Sequence, residues 1–131
     1  MSVVVDASVL VAALTDAGAT GTWAIDVLSD GQPMTPVLAL VESMNILRRL
    51  ERARSLNTLE ATAAQRELMQ LDLVFLPFEP FAERVWELRR NISSYDAWYV
   101  AVAEALDMPL ATLDRRLARA SGPFCTFQLP S

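Results

Sequence analysis

Apolar and polar positions fall into blocks along this chain, and the blocks carry the periods of strands and helices. Ser2-Val3-Val4-Val5-Asp6 is a β-branched run ending in an acid, the pattern of a buried parallel strand. Ala7 to Leu14 continues as a short apolar helix, with Val9, Leu10, Ala13 and Leu14 near one face. Asp16 to Gly21 is rich in turn formers and predicts a break. Thr22 to Leu28 predicts a second helical piece, closed by Gly31 and Pro33. Met34-Thr35 predicts a very short strand, and Pro36 suits the first turn of a helix running from Val37 to Arg54. That helix is apolar at Leu40, Val41, Met44, Leu47 and Leu50. After a break at Ser55 to Thr58, Leu59 to Leu71 predicts another helix, with Ala61, Ala64, Leu68 and Leu71 along one stripe. The two are expected to form a hairpin that projects from the sheet.

Leu73 to Pro77 predicts a strand, and Glu79 to Arg90 a helix with Phe81, Val85 and Leu88 inward. Ser93 to Ala120 then reads as helix, strand, helix. Ser93, Ser94 and Asp96 open its first helix, and Ala97 to Ala103 is apolar but for Tyr99, so this helix must be buried. Pro109 ends it, and Pro109 to Thr112 has the length of a short strand. Asp114 stands before a new helix carrying Arg115, Arg116, Leu117 and Arg119, and Phe124 to Leu129 predicts an edge strand. Strands alternating with helices specify an α/β fold: a single domain over residues 1–131, with a largely parallel central sheet flanked by helices and right-handed crossovers.

Composition narrows the chemistry. A length of 131 residues suits one core, and 53% hydrophobic against 21% charged residues describes a folded globular chain. No apolar run approaches the roughly 20 residues of a membrane span. Met1 to Asp6 lack the basic and apolar regions of a secretory signal. Cys125 is alone and cannot form an internal disulfide, so a cytoplasmic location is expected. The chain has no His, and all 11 of its basic residues are Arg. That excludes Ser-His-Asp triads, His/Cys zinc sites, a P-loop lysine and Schiff-base chemistry. Carboxylates remain, and they hold hard divalent cations such as Mg²⁺ or Mn²⁺. The net charge of -5 argues against a strong non-specific grip on nucleic acid but not against a nuclease whose acids are neutralised by metal.

Four acids stand out. Asp6 ends the first strand and opens a helix; taken alone, it reads more readily as an N-cap than as a ligand. Asp114 shares that ambiguity, and Ser93-x-x-Asp96 resembles a capping box. Glu42 has no capping role, because it lies inside the run Leu38 to Leu47. There it is either a solvent-facing residue paired with an arginine such as Arg49, or a functional carboxylate. Together the four are more specific. Asp6 and Asp114 lie at or just past the carboxyl ends of strands, where ligands bind in open α/β sheets. Converging carboxylates raise one another's pKa unless a cation is present, and such a cluster suits metal-assisted attack on a phosphodiester.

These segments resemble those of PIN-domain ribonucleases, and specifically the VapC toxins of toxin–antitoxin pairs, over essentially the whole chain. VVVDASVLVA is similar to the family's first motif and LVESMNILRR to the second. YDAWYVAVAEALDMPLATLDRRLA is similar to the third and fourth. The one departure is Asp107-Met108, where a small residue usually precedes the fourth strand; a loop is expected to tolerate it. The resemblance implies a Mg²⁺- or Mn²⁺-dependent endoribonuclease with Asp6, Glu42, Asp96 and Asp114 around the metal. It also implies a homodimer and a VapB-like antitoxin. Ser8, Thr112 and Asn45 are candidate supports for the acids, and Arg115 and Arg116 candidate phosphate contacts. An apolar groove near Leu10, Leu14 and Trp23 is the expected seat of an antitoxin helix. Trp23, Trp86 and Trp98 read as core or interface residues.

Two other classes stand beside this one. One is a different carboxylate–Mg²⁺ phosphohydrolase; an Asp-x-Asp phosphatase is disfavoured by Ser8, and a receiver domain by the lack of lysine. The other is a non-catalytic module that binds RNA or a partner, for which four acids are not needed.

Overall fold

The computed structural model describes residues 2–131. Its centre is the valine run. β1 (Val3–Val5) is at most 5% exposed, and its β-branched side chains fill both faces of the sheet. β1 pairs with β2 (Pro33–Pro36) on one side and β4 (Leu110–Ala111) on the other. β3 (Val74–Leu76) and β5 (Phe127–Gln128) form the edges. The order is β3-β2-β1-β4-β5, and every pairing is parallel. The chain therefore winds outward from β1 through β2 to β3, then crosses back to β4 and β5. Right-handed crossovers put the helices that follow β1 and β2 on one face and those that follow β3 and β4 on the other. The reversal lies between β1 and β4, and a crevice opens there at the carboxyl ends of the strands.

On the first face lie α1 (Ala7–Thr15), α2 (Ala19–Ser29), α3 (Leu38–Arg52) and α4 (Thr58–Leu68). α1 packs against the other three. The α3–α4 hairpin does not project from the sheet. Leu47 of α3 and Ala64 of α4 bury with Val11 of α1 in a small second core, which folds the hairpin down. On the second face a 3-10 turn (Glu79–Phe81) leads into α5 (Ala82–Glu87) and α6 (Ser94–Leu106). α6 touches β1, β2 and β4, and its residues 97–103 are all buried, as its apolar sequence requires. α7 (Arg115–Ala118) precedes β5.

Several boundaries differ from the sequence expectation. Pro36 does not open α3. It pairs with Leu76 as the last residue of β2, and the Val37 N–H donates to the Leu76 carbonyl at 3.2 Å. α3 ends at Arg52 because Arg54 turns into the left-handed region at φ 63°. α4 starts early through a capping box between Asn57 and Glu60, and stops at Leu68. The helix expected over 79–90 divides into the 3-10 turn and α5. Asp107 caps α6 at φ 53°, a conformation that Asp tolerates, so the departure at Asp107-Met108 sits in a turn. The last strand shortens to two residues. The segment before it is held instead by Glu104, which binds Arg84 Nε at 2.7 Å and the Phe124 N–H at 2.6 Å, while Arg84 also donates to the Gly122 carbonyl. Trp98 is core and Trp23 half-buried. Trp86 is exposed beneath the Arg89 guanidinium, 4.3 Å from its ring centre.

α2 begins at Ala19, within the expected break, and Gly21 lies inside it. A Cβ at Gly21 would stand 1.7 Å from the Asp16 carbonyl oxygen, so only glycine lets α2 pack this closely on the α1–α2 turn. Gly21→Ala should therefore destabilise the protein by about 1–3 kcal/mol and lower its Tm by several degrees. An unchanged Tm would mean that the approach is looser than described.

Candidate active site

Four acids from four segments line one cleft at the carboxyl edge of the sheet, with a volume of about 380 Å³: Asp6, Glu42, Asp96 and Asp114. The topology explains why. Asp6 directly follows β1, Asp114 follows β4, Glu42 is on the second turn of the helix after β2, and Asp96 is on the first turn of the helix that crosses back from β3. Each acid thus sits within about a turn of an element boundary at that edge.

Asp6 is the most buried of the four, at 9% exposure. It is both the N-cap of α1 and a cleft residue: its Oδ1 accepts from the Val9 N–H at 3.2 Å and from Ser8 Oγ at 2.5 Å. Its Oδ2 accepts from Thr112 Oγ1 at 2.5 Å. The same hydroxyls accept from the next loop, Ser8 Oγ from the Leu113 N–H and Thr112 Oγ1 from the Asp114 N–H. One carboxylate thereby ties the end of β1 to the loop after β4. Burial pushes the Asp6 carboxyl up to about 6. The Ser8, Thr112 and Val9 hydrogen bonds oppose this, and the charge of Asp96 adds to it.

Glu42 is neither on the solvent face nor paired with Arg49. Its Oε1 accepts a 2.5 Å hydrogen bond from the hydroxyl of Tyr99, which is only 2% exposed. Burial raises the Glu42 pKa, the Tyr99 bond lowers it and Asp96 raises it again. The Tyr99 hydroxyl is pushed far above its ordinary value, first by burial and then by Glu42, and remains a donor. Tyr99 was not singled out from the sequence. Its signal was there: it is the one hydroxyl in the apolar stretch of α6, three residues beyond Asp96 and so on the same helix face.

Asp96 is the electrostatic centre of the group. Burial raises its pKa, then the charge of Asp114, and Asp96 in turn acts on Asp6 and Glu42. Asp114 is exposed and caps α7, its Oδ1 accepting from the Arg116 and Leu117 N–H groups at 2.9 and 3.1 Å. Asn45 and Arg49 also line the cleft; the sequence marks Arg49 only as a partner for Glu42. Arg116 faces an adjoining cavity. Arg115 is committed elsewhere, donating to the Pro130 carbonyl at 2.7 Å, so the expected phosphate contact there is not supported. The groove expected near Leu10 also fails in part. Leu10 is fully buried, and the cavity beside Trp23 is only about 200 Å³. Cys125 is half-buried, and burial pushes its thiol up to about 11, so it is not a reactive thiolate.

The donor set fits a hard divalent cation: carboxylate, hydroxyl and amide oxygens, with no sulfur or imidazole in the cleft. Among the described residues no three acids stand close enough to hold one ion as they lie. Asp6, Glu42 and Asp114 each turn at least one oxygen to a protein donor, and like charges keep the group apart. Holding an ion requires Asp96 and Asp114 to turn in toward Asp6, which its donors keep in place.

Comparisons with known proteins agree with this architecture. A family model described as the PIN domain matches residues 3–123. The chain is 39% identical over 127 residues to Ribonuclease VapC1 of Mycobacterium tuberculosis, covering 96% of each chain. Among solved structures, VapC20 of Mycobacterium tuberculosis, described as a Sarcin-Ricin loop cleaving toxin, superposes with a TM-score of 0.64 at 20% identity, over 88% of this chain and 92% of that one. VapBC2 from Rickettsia felis, bound to a promoter DNA fragment, gives a TM-score of 0.68 at 14% identity over 100% of both. These two likenesses bear on the fold.

The raised pKa of Asp6 has a sign that can be tested. The folded protein holds this proton more tightly than the unfolded chain, so stability falls as pH rises from about 4 through 6. At roughly 1.4 kcal/mol per pKa unit the full effect is about 3 kcal/mol. In EDTA, Asp6→Asn should therefore melt higher than the parent at pH 7.5, and the gain should vanish near pH 4. A difference that does not change with pH would place the Asp6 carboxyl in a water-like environment.

Proposed function

The chain belongs to the PIN-domain family, and we propose that it is a metal-dependent endoribonuclease of the VapC toxin type, one PIN domain over residues 1–131. The observation that carries this reading is the convergence of Asp6, Glu42, Asp96 and Asp114 in a single cleft. The 39% identity to a named ribonuclease over nearly the whole chain supports it. Mg²⁺ or Mn²⁺ would be held by Asp6, Asp96, Asp114 and Glu42. When bound, such a cation lowers the pKa of a water and offsets charge on the phosphodiester.

The protein's own residues do the rest. Ser8, Thr112 and the start of α1 fix Asp6, so this ligand needs no reorganisation on its buried side. Tyr99 fixes Glu42 Oε1 and leaves Oε2 free to accept a proton from the attacking water. The water oxygen adds to phosphorus, and the departing ribose oxygen takes a proton from solvent. Arg49 lies in the cleft to hold a phosphate that the acids alone would repel.

The proposed substrate is single-stranded or structured RNA, in keeping with the likeness to a protein named Ribonuclease VapC1. A VapB-like antitoxin is the proposed partner, on the precedent of the VapBC2 complex. A homodimer is supported by Val37, Val41, Phe75 and Phe78, large apolar side chains left exposed where β2 and β3 end and α3 begins. No helix among the described residues is long and apolar enough to cross a membrane, and a cytoplasmic location is proposed from the lone Cys125.

RNA incubated with the purified chain and Mn²⁺ should be cleaved. EDTA, Asp6→Ala or Asp96→Ala should each reduce cleavage by at least ~10²-fold, the scale of a lost metal ligand set or general base. Cleavage that ignores both EDTA and the substitutions would belong to another site or another protein.

A further inference from the structure

Asp96 and Asp114 line two cavities, not one. Beyond them, on the side away from Asp6 and Glu42, lies a second hollow of about 330 Å³, formed by Asn91, Ile92, Arg116, Leu117 and Ala120. Asp96 and Asp114 are its only acids, so the pair forms a saddle between a carboxylate-rich lobe and a lobe of different chemistry. Its size is at the low end of small-molecule pockets, which run from about 300 to 1,000 Å³.

The second lobe has the groups that an unpaired nucleotide requires. Ile92, Leu117 and Ala120 give an apolar wall for the face of a base. The Asn91 carboxamide both donates and accepts, as the edge of a base demands. It sits in the turn between α5 and α6, and its side chain makes no hydrogen bond among the described residues. Arg116 supplies a guanidinium for phosphate. Most telling is how the arginines are used. Arg84 is paired with Glu104 and Glu87, Arg89 with Trp86 and Arg115 with Pro130. Of the arginines without a side-chain partner among the described residues, Arg49 lines the first lobe and Arg116 the second. In a chain of net charge -5, two unengaged guanidiniums flank the acid saddle, one on each side. That arrangement suits a strand whose central phosphate lies at the acids and whose neighbouring phosphates lie at the arginines.

We propose that the Asn91–Arg116 lobe binds the nucleoside on one side of the cleaved phosphodiester of single-stranded RNA, with Asn91 reading the base edge and Arg116 holding the adjoining phosphate. This rests on the ribonuclease reading and adds a specificity-determining subsite to it.

A random-sequence single-stranded RNA library cut by the full chain with Mn²⁺, followed by sequencing of the product ends, tests it. Asn91→Ala should flatten the base preference at one position beside the cut and leave the other positions unchanged. Arg116→Ala should raise KM roughly tenfold with kcat within about twofold. Both residues are exposed, so an unchanged Tm should verify the fold of each variant. Cleavage by both variants with the parent's preferences and KM would overturn the subsite. A second arm separates this from failure of the nuclease reading: anisotropy of short fluorescent homopolymeric oligoribonucleotides bound to Asp6→Asn protein, with and without Arg116→Ala. If the parent cuts nothing yet Arg116→Ala weakens binding, the nuclease reading falls and the RNA lobe stands. If Arg116→Ala leaves oligonucleotide binding unchanged, the lobe is not an RNA subsite, even where the same substitution weakens binding of a protein partner.

Discussion

The buried carboxylate of Asp6 is the constraint on which the site depends. An ionised acid at the end of the central strand is costly to desolvate, and the chain meets that cost with three donors: Ser8, Thr112 and the first turn of α1. The same two hydroxyls accept backbone N–H groups of the loop after β4. Satisfying Asp6 therefore also sets the position of the loop that carries Asp114. Removing one of these partners would leave a buried charge short of a donor and release the adjoining loop at the same time.

The other acids are placed by topology and held by less. The winding reverses between β1 and β4, so the segments after both strands open on one crevice, and α3 and α6 bring Glu42 and Asp96 to its walls. Burial first, and repulsion within the group after it, raise the pKa of Asp6, Glu42 and Asp96. A divalent cation would reverse that, turning an unfavourable cluster of the bare protein into a stabilising one on binding. Function and local instability thus share one origin in these carboxylates.

Much of this was legible in the residues. The valine run, the apolar stretch from Ala97 to Ala103 and the alternation of elements dictated the parallel α/β sheet. The four acids were recognisable by their places at element ends, and Glu42 by the lack of any capping role. What was hidden depended on tertiary contacts. The Tyr99–Glu42 bond joins residues 57 apart, and a tyrosine in an apolar run looks like core until its partner is seen. Arg49 and Arg115 cannot be ranked by sequence distance from the acids, because Arg115 is captured by the Pro130 carbonyl. Gly21 reads as a turn residue, yet its role is to let a helix approach the Asp16 carbonyl. The α3–α4 hairpin looked free because its partner, Val11, lies on α1.

In the proposed function, four carboxylates from four segments act as one cation site. Calorimetric titration of Mn²⁺ into the purified chain, and into Asp6→Asn, Glu42→Gln, Asp96→Asn and Asp114→Asn, tests it without reference to any RNA. Saturable binding is expected, weakened by each substitution roughly tenfold or more and abolished by Asp6→Asn and Asp96→Asn together. Mn²⁺ affinity that survives the loss of both Asp6 and Asp96 would contradict it.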